Sequence, residues 1–276
     1  MDATEWSIGK FKLHCLVLAV DYQCVAIPVY FKLYQHKGVL SQQERIAFME
    51  SANRFCQLTD SVIIADREFI GDDWFVHFYT ASLDFIVRLR KGQYKHQLVG
   101  NRHYETLEKR ARKKGKASAL IVIDGFRFRL WIVKNANRTD KEPLIYILTT
   151  ILGKRDTPDL YRLRWKIETL FKHLKTNGYN LEDLRLTELS KIRLLVSLVV
   201  LAYIIAILMA LDARKTRPVS KNYYKDGTSF DRISMFKEGQ SLLKQSFITV
   251  WQLLEIIQYI NIKASVPIPN WRLNVQ

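Results

Sequence analysis

The sequence predicts an α/β fold, and three observations predict it. Strand-like and helix-like segments alternate through the first 92 residues. Turn-bounded β runs then follow to about residue 150, and helical periodicity dominates from there to the end. The 276 residues therefore divide into a first core segment over 1–92, a mostly β insertion over 93–150, and a segment over 151–276 that completes the core and adds C-terminal helices.

Taken in order, Phe11–Val20 and Val25–Tyr34 are apolar strand runs separated by Asp21-Tyr22-Gln23, the expected turn of an antiparallel pair. Ser41 with Glu44 three residues later is a capping-box pattern, opening a helix to about Leu58. Ser61–Ala65 is a short unalternating apolar run, as expected of a strand buried on both faces, and it ends at Asp66. Gly71-Asp72-Asp73 starts a further helix, with Asp72 and Asp73 as capping residues, and Phe85–Leu89 is the next strand. Lys109-Arg110-Ala111-Arg112-Lys113-Lys114-Gly115-Lys116 holds six basic residues in eight and has the composition of a charged loop. Ser118–Ile123 and Phe126–Lys134 flank Asp124-Gly125, a strong hairpin signal, and Leu144–Thr150 is a third strand. Helices are expected at roughly 157–177, 187–213 and 239–260.

Composition narrows the function classes. Lys and Arg number 43 against 27 Asp and Glu, and a net charge of +16 points to a polyanionic partner, nucleic acid or an anionic membrane surface. Cys15, Cys24 and Cys56 form neither a CxxC pair nor a zinc spacing, so a reduced cytosolic setting is expected. Neither GxxxxGK[ST] nor GxGxxG occurs, which removes support for nucleotide-cofactor chemistry. Leu194–Leu211, interrupted only by Ser197, reaches the lower length limit of a membrane span. With basic residues at both ends and globular patterning elsewhere, we read it as a helix buried in a large core, and expect no membrane.

The segment from Tyr161 to Lys175 carries most of the functional information. At about 100° per residue, Tyr161, Arg164, Glu168 and Lys175 fall within roughly 60° of one another, with Lys172 beside them. Leu160, Leu163, Ile167, Leu170, Phe171 and Leu174 cover the adjacent arc. An amphipathic helix with an Arg164–Glu168 pair accounts for this pattern. So does phosphate chemistry, in which a carboxylate holds a metal while cations and a hydroxyl grip phosphate oxygens. The spacing Y-x2-R-x3-E-x6-K resembles the signature of the insertion-sequence family four of bacterial transposases. The resemblance spans about residues 1–210 and implies a ribonuclease-H-like fold, a mixed sheet flanked by helices, and an Asp-Asp-Glu metal-binding triad whose Glu is Glu168. It implies that Tyr161, Arg164 and Lys175 contact transposon-end phosphates, and we add Lys172 to that set.

Val62-Ile63-Ile64-Ala65-Asp66 resembles the family's strand-end Asp segment, which makes Asp66 the second acid. Asp2-Ala3-Thr4 resembles its first-Asp segment. Asp21 is the rival, although it sits where a turn is expected. The resemblance further implies two Mg²⁺ ions, with Mn²⁺ able to substitute, cleavage at transposon ends and strand transfer into target DNA. Double-stranded DNA is the expected partner, a homodimer the expected form in the DNA complex, and the bacterial cytoplasm the expected compartment. Lys109, Arg110, Arg112, Lys113 and Lys114 are expected to neutralise backbone phosphates. Alternation along Phe126–Lys134 puts Arg127, Arg129, Trp131 and Val133 on one face, where Trp131 either covers the sheet or stacks on an unpaired base. Only Met1 precedes Asp2, where the family's fold expects a central strand, so an N-terminally incomplete and poorly stable or inactive member is the expectation. A DNA-binding remnant without catalysis and a basic membrane-associated protein are the other classes, separable by metal-dependent nicking and by solubility without detergent.

Overall fold

The structure is a computed structural model describing residues 1–35, 39–90, 104–135, 142–153, 156–176, 178–217, 219–224 and 227–245, together with 92, 94, 96, 98, 254, 255 and 258. It divides into two compact units, Met1–Leu201 and Ala202–Gln276.

In the first unit, β1 (Asp2–Ile8), β2 (Phe11–Tyr22) and β3 (Val25–Tyr34) form an antiparallel three-stranded sheet in that order. β1 is a strand the sequence reading did not assign, although the signal exists: Trp6 and Ile8 are buried while Glu5 and Ser7 are exposed. Gln23 and Cys24, both at positive φ (44° and 69°), make the two-residue hairpin turn. Asp21 is thereby corrected from the turn into the end of β2, where it accepts a 2.7 Å bond from Lys166 Nζ.

The second sheet has the order β4-β5-β8-β7-β6, built from β4 (Val62–Ala65), β5 (Asp84–Arg88), β6 (Lys116–Ile123), β7 (Phe126–Lys134) and β8 (Leu144–Thr149). β4 and β5 are parallel and the other pairs antiparallel, so the sheet is mixed. The strands expected to form a separate β insertion over 93–150 instead extend this sheet. β8 pairs with β5 through Ile86↔Thr149 and Val87↔Leu148, and its Tyr146, Ile147 and Leu148 are buried from both faces, as suits a central strand.

Four helices pack against these strands. Ser41 opens α1 (Gln42–Cys56) with the expected capping box, its Oγ accepting from the Glu44 amide at 3.2 Å and Glu44 Oε2 accepting from the Ser41 amide at 2.8 Å. Asp72 and Asp73 lie in the first turn of α2 (Asp72–Thr80), with Gly71 as the cap residue and no side-chain cap bond, so they act on the helix dipole. The basic run, expected as a loop, belongs mostly to α3 (Tyr104–Lys114). Tyr104, Leu107 and Ala111 recur at helical spacing and are buried, which leaves Lys109, Arg110, Arg112, Lys113 and Lys114 exposed. These three helices share one large core with Phe85, Phe128 and Leu130 of the sheet. On the opposite sheet face, Ile86, Trp131 and Ile147 pack with Leu160 and Tyr161, and α4 (Thr157–Tyr161) carries those two residues.

The expected helix over 157–177 is interrupted. After α4 a 3₁₀ stretch covers Arg162–Arg164, and α5 (Trp165–Lys175) follows. Ile167, Leu170, Phe171 and Leu174 are buried, so the apolar arc of α5 is as expected.

α6 (Leu189–Ala213) is not the enclosed core helix expected. Ile192, Val196, Ile207 and Ala210 are fully buried, yet Leu194, Leu198 and Leu201 are 62%, 53% and 47% exposed. By length and composition alone it is long and apolar enough to cross a membrane. Within the second unit, α7 (Met235–Gln245) stacks Phe236 on Tyr203 at 5.2 Å, and the hairpin of β9 (Lys221–Tyr223) and β10 (Ser229–Asp231) is tied to Arg214 through Asp231. Beyond Gln245, most of the helix expected over 239–260 lies outside the described residues.

Candidate active site

Three chain segments deliver acids to one place. Asp2 is the first residue of β1, not the last residue of a strand lying beside β4. Where β1 begins, the Met1 amine donates a 2.7 Å bond to the carbonyl of Ile64, bringing Asp2 alongside the end of β4. Asp66 follows directly on β4, whose Ile63 and Ala65 face the large core while Val62 and Ile64 face the opposite cluster. Glu168 stands one turn into α5.

Arg164 sits among these carboxylates. Its Nη1 lies 3.1 Å from Asp2 Oδ2 and its Nη2 2.6 Å from Glu168 Oε1, while Asp66 adds a further electrostatic attraction. The Arg164 and Asp2 side chains are 11% and 9% exposed, and Glu168, at 28%, forms the wetter rim. Tyr161 closes the set by donating its hydroxyl to Asp66 Oδ1 at 3.3 Å. Burial raises the Asp2 carboxyl to about 6, with Arg164 and the Ala3 amide pulling the other way. It also pushes the Tyr161 phenol up, with Asp66 adding to the rise. The same burial works against the charge on Arg164, but Asp66, Tyr161, Asp2 and Glu168 together hold it more firmly protonated than usual.

The remaining candidates divide. Lys172 is exposed on α5, and Lys175 reaches Glu182 at 3.9 Å, so neither joins the acidic cluster. Arg127 is exposed, whereas Arg129 is spent on the Leu152 carbonyl, with bonds of 2.8 and 2.5 Å. Trp131 is 9% exposed and packed against Ile86 and Ile147, which corrects the base-stacking alternative in favour of sheet covering. Alternation gave its face, but α4 closes over that face.

Two residues escaped the sequence reading. Trp165 is 61% exposed with the Arg164 guanidinium 5.8 Å from its ring, and its only sequence signal was adjacency to Arg164. Arg45 is buried, donates to the Glu68 carbonyl and lies over the Phe69 ring, a placement that only the packing of α1 on the chain after Asp66 creates. A cavity of about 250 Å³ is lined by Thr4, Glu5, His14, Arg45, Glu68 and Phe69 among others, with Thr4 and Glu68 each two residues from an acid of the cluster.

No curated protein matches the chain. Residues 40–205 match the family described as the transposase DDE domain, a span that holds Asp66, Tyr161, Arg164, Glu168 and Lys175 and begins after Asp2. That match covers more than half of the chain, and the five-stranded mixed sheet flanked by helices agrees with the ribonuclease-H-like fold of such domains. The chain therefore belongs to the DDE transposase family, polynucleotidyl transferases that act on DNA.

Proposed function

We propose that the chain performs cut-and-paste transposition, with Asp2, Asp66 and Glu168 as the carboxylates that hold divalent metal. The observation carrying this reading is that acids from the start of β1, the end of β4 and the first turn of α5 meet one short segment, Arg164 pairing with Asp2 and Glu168 and Tyr161 donating to Asp66. Their donor atoms fit the group: hard carboxylate oxygens suit Mg²⁺ and Mn²⁺. Among the described residues no three such groups lie close enough to share an ion, so holding one requires the acids to close up. When bound, a pair of such ions supplies activation of the attacking oxygen and stabilisation of the leaving oxygen.

This chain's own residues do the rest. Asp2 is held in β1 and Asp66 directly after β4, and Glu168 reaches in from a helix whose apolar face is buried. Lys172 and Lys175 offer cations along α5 for the phosphate backbone, and Arg164 can grip two phosphate oxygens at once. The exposed basic face of α3 extends that footprint and suits double-stranded DNA without reading its bases. The Y-x2-R-x3-E-x6-K spacing supports placement in insertion-sequence family four, with transposon ends and target DNA as substrates, a homodimer in the DNA complex and the cytoplasm as compartment.

The test is Glu168→Gln. Wild-type protein is expected to nick DNA only with Mg²⁺ or Mn²⁺, and the variant to retain DNA binding and not cleave. Normal cleavage by the variant would remove Glu168 from the chemistry. Absence of metal-dependent nicking in the wild type would favour the DNA-binding remnant.

A further inference from the structure

We propose that Arg164 and Tyr161 clamp the acidic cluster in the DNA-free protein, and that transfer of Arg164 to a DNA phosphate opens the cluster, so that DNA and divalent cation bind cooperatively. The proposal rests on the reading of Asp2, Asp66 and Glu168 as the metal-holding set and adds the order in which that set becomes available.

The geometry carries it. Arg164 donates at 3.1 Å to Asp2 Oδ2 and at 2.6 Å to Glu168 Oε1, and Tyr161 donates at 3.3 Å to Asp66 Oδ1. The lone pairs these donors engage are those a cation needs. A guanidinium fork also holds two carboxylates farther apart than one small ion does, since Mg²⁺ binds oxygens at only about 2.0–2.1 Å. Arginine cannot yield by losing its proton. The oxygens are released only if the side chain moves.

Two features favour such movement. Arg164 lies at the end of the 3₁₀ stretch Arg162–Arg164 between two α-helical segments, and irregular turns of this kind often mark hinges. Its buried Nε–H has no acceptor among the described residues, so the guanidinium leaves part of its donor capacity unused, which a phosphate can engage bidentately. Three carboxylates against one guanidinium also leave net negative charge, so the clamp does not remove the attraction for a cation. Once a phosphate holds Arg164, the acids repel one another, and the cation becomes the group that neutralises them. Linkage then requires each ligand to raise the affinity for the other by one common factor.

The experiment titrates Mn²⁺ into the full chain, with free Mn²⁺ read by electron paramagnetic resonance, with and without a nonspecific DNA duplex. Mn²⁺ binding abolished by Asp66→Asn counts as the site. In wild-type protein, DNA is expected to tighten that binding at least about fivefold, a coupling of ordinary size for linked sites. Arg164→Gln is expected to bind Mn²⁺ more tightly than wild type without DNA and to lose the DNA effect. Arg164→Lys keeps a charge beside buried Asp2 but cannot bridge two acids. It serves where the Gln variant does not fold, and its DNA effect is expected to fall below that of wild type. Equal Mn²⁺ affinity with and without DNA in the wild type, or an undiminished DNA effect in these variants, overturns the clamp and leaves the metal site standing. If no Asp66-dependent Mn²⁺ binding occurs even with DNA, the carboxylate reading itself fails and takes the clamp with it.

Discussion

Replacing Asp2 by Asn is expected to stabilise the metal-free protein at neutral pH while abolishing strand cleavage. Asp2 is almost fully buried, with its side chain 9% exposed, and desolvation raises its carboxyl from 3.8 to about 6 despite the opposing pull of Arg164. A rise of that size corresponds to about 3 kcal/mol against the ionised form in the folded state. Because the folded value lies above the unfolded one, the stability contribution is complete below pH 3.8 and is lost as pH rises through about 6. At pH 7 the folded protein therefore bears the full cost of an ionised, buried Asp2. Asn retains an oxygen to accept the Ala3 amide bond now made by Asp2 Oδ1 at 2.9 Å, and Arg164 keeps Glu168 as a partner. Chemical denaturation in chelator-containing buffer should then show Asp2→Asn more stable than wild type by up to about 3 kcal/mol at pH 7, with the gap closing toward pH 4. A gap independent of pH, or a variant less stable than wild type at pH 7, would refute the reasoning. The expected trade is one common at active sites, where function retains a group that stability alone would discard.

Other perturbations act elsewhere. Changing Lys109, Arg110, Arg112, Lys113 and Lys114 together to Ala should leave thermal stability unchanged, because α3 exposes all five, and should lower the salt slope of DNA binding by about 0.9 for each phosphate that is no longer neutralised. An unchanged slope would remove α3 from the DNA interface. Trp131→Ala should cost about 3–5 kcal/mol in denaturant unfolding, since the ring is buried against Ile86 and Ile147. A loss of DNA affinity at full stability would restore the base-stacking role. Gly239→Ala should destabilise the second unit by about 1–3 kcal/mol, because a Cβ there would lie 1.7 Å from the Ala206 carbonyl oxygen, a backbone atom that moves only with α6. Unchanged unfolding would show that the two helices separate freely.

Several elements were legible because their physics is local. Ser41 and Glu44 satisfy each other across one helical turn, so the start of α1 could be placed to within a residue. Asp124 and Gly125, both at positive φ, mark the β6–β7 hairpin by what their backbones tolerate. The alternation of β7 was equally readable, yet alternation states only that Trp131 and Leu130 face opposite ways. It does not state that both faces are covered, and α4 covers the second. The basic run was seen as charge without its helix, because Tyr104, Leu107 and Ala111 reveal a face only when a core exists to receive them.

The acids divide along the same line. Spacing alone was sufficient to pair Glu168 with Arg164 four residues before it, since one turn of helical backbone makes such a pair neighbours, while the resemblance to a known family gave Glu168 its role. An apolar run buried on both faces was sufficient to mark Asp66 at a strand end. That Asp2 meets Arg164, 162 residues away in sequence, depended on the sheets and on contacts such as the bond from Met1 to Ile64. Nor could any local pattern state that Arg164, read first as a phosphate ligand, lies between Asp2 and Glu168. Local periodicity is encoded over a few residues, whereas the partner of a buried charge is chosen by whichever distant segments the core brings within reach and the solvent they exclude.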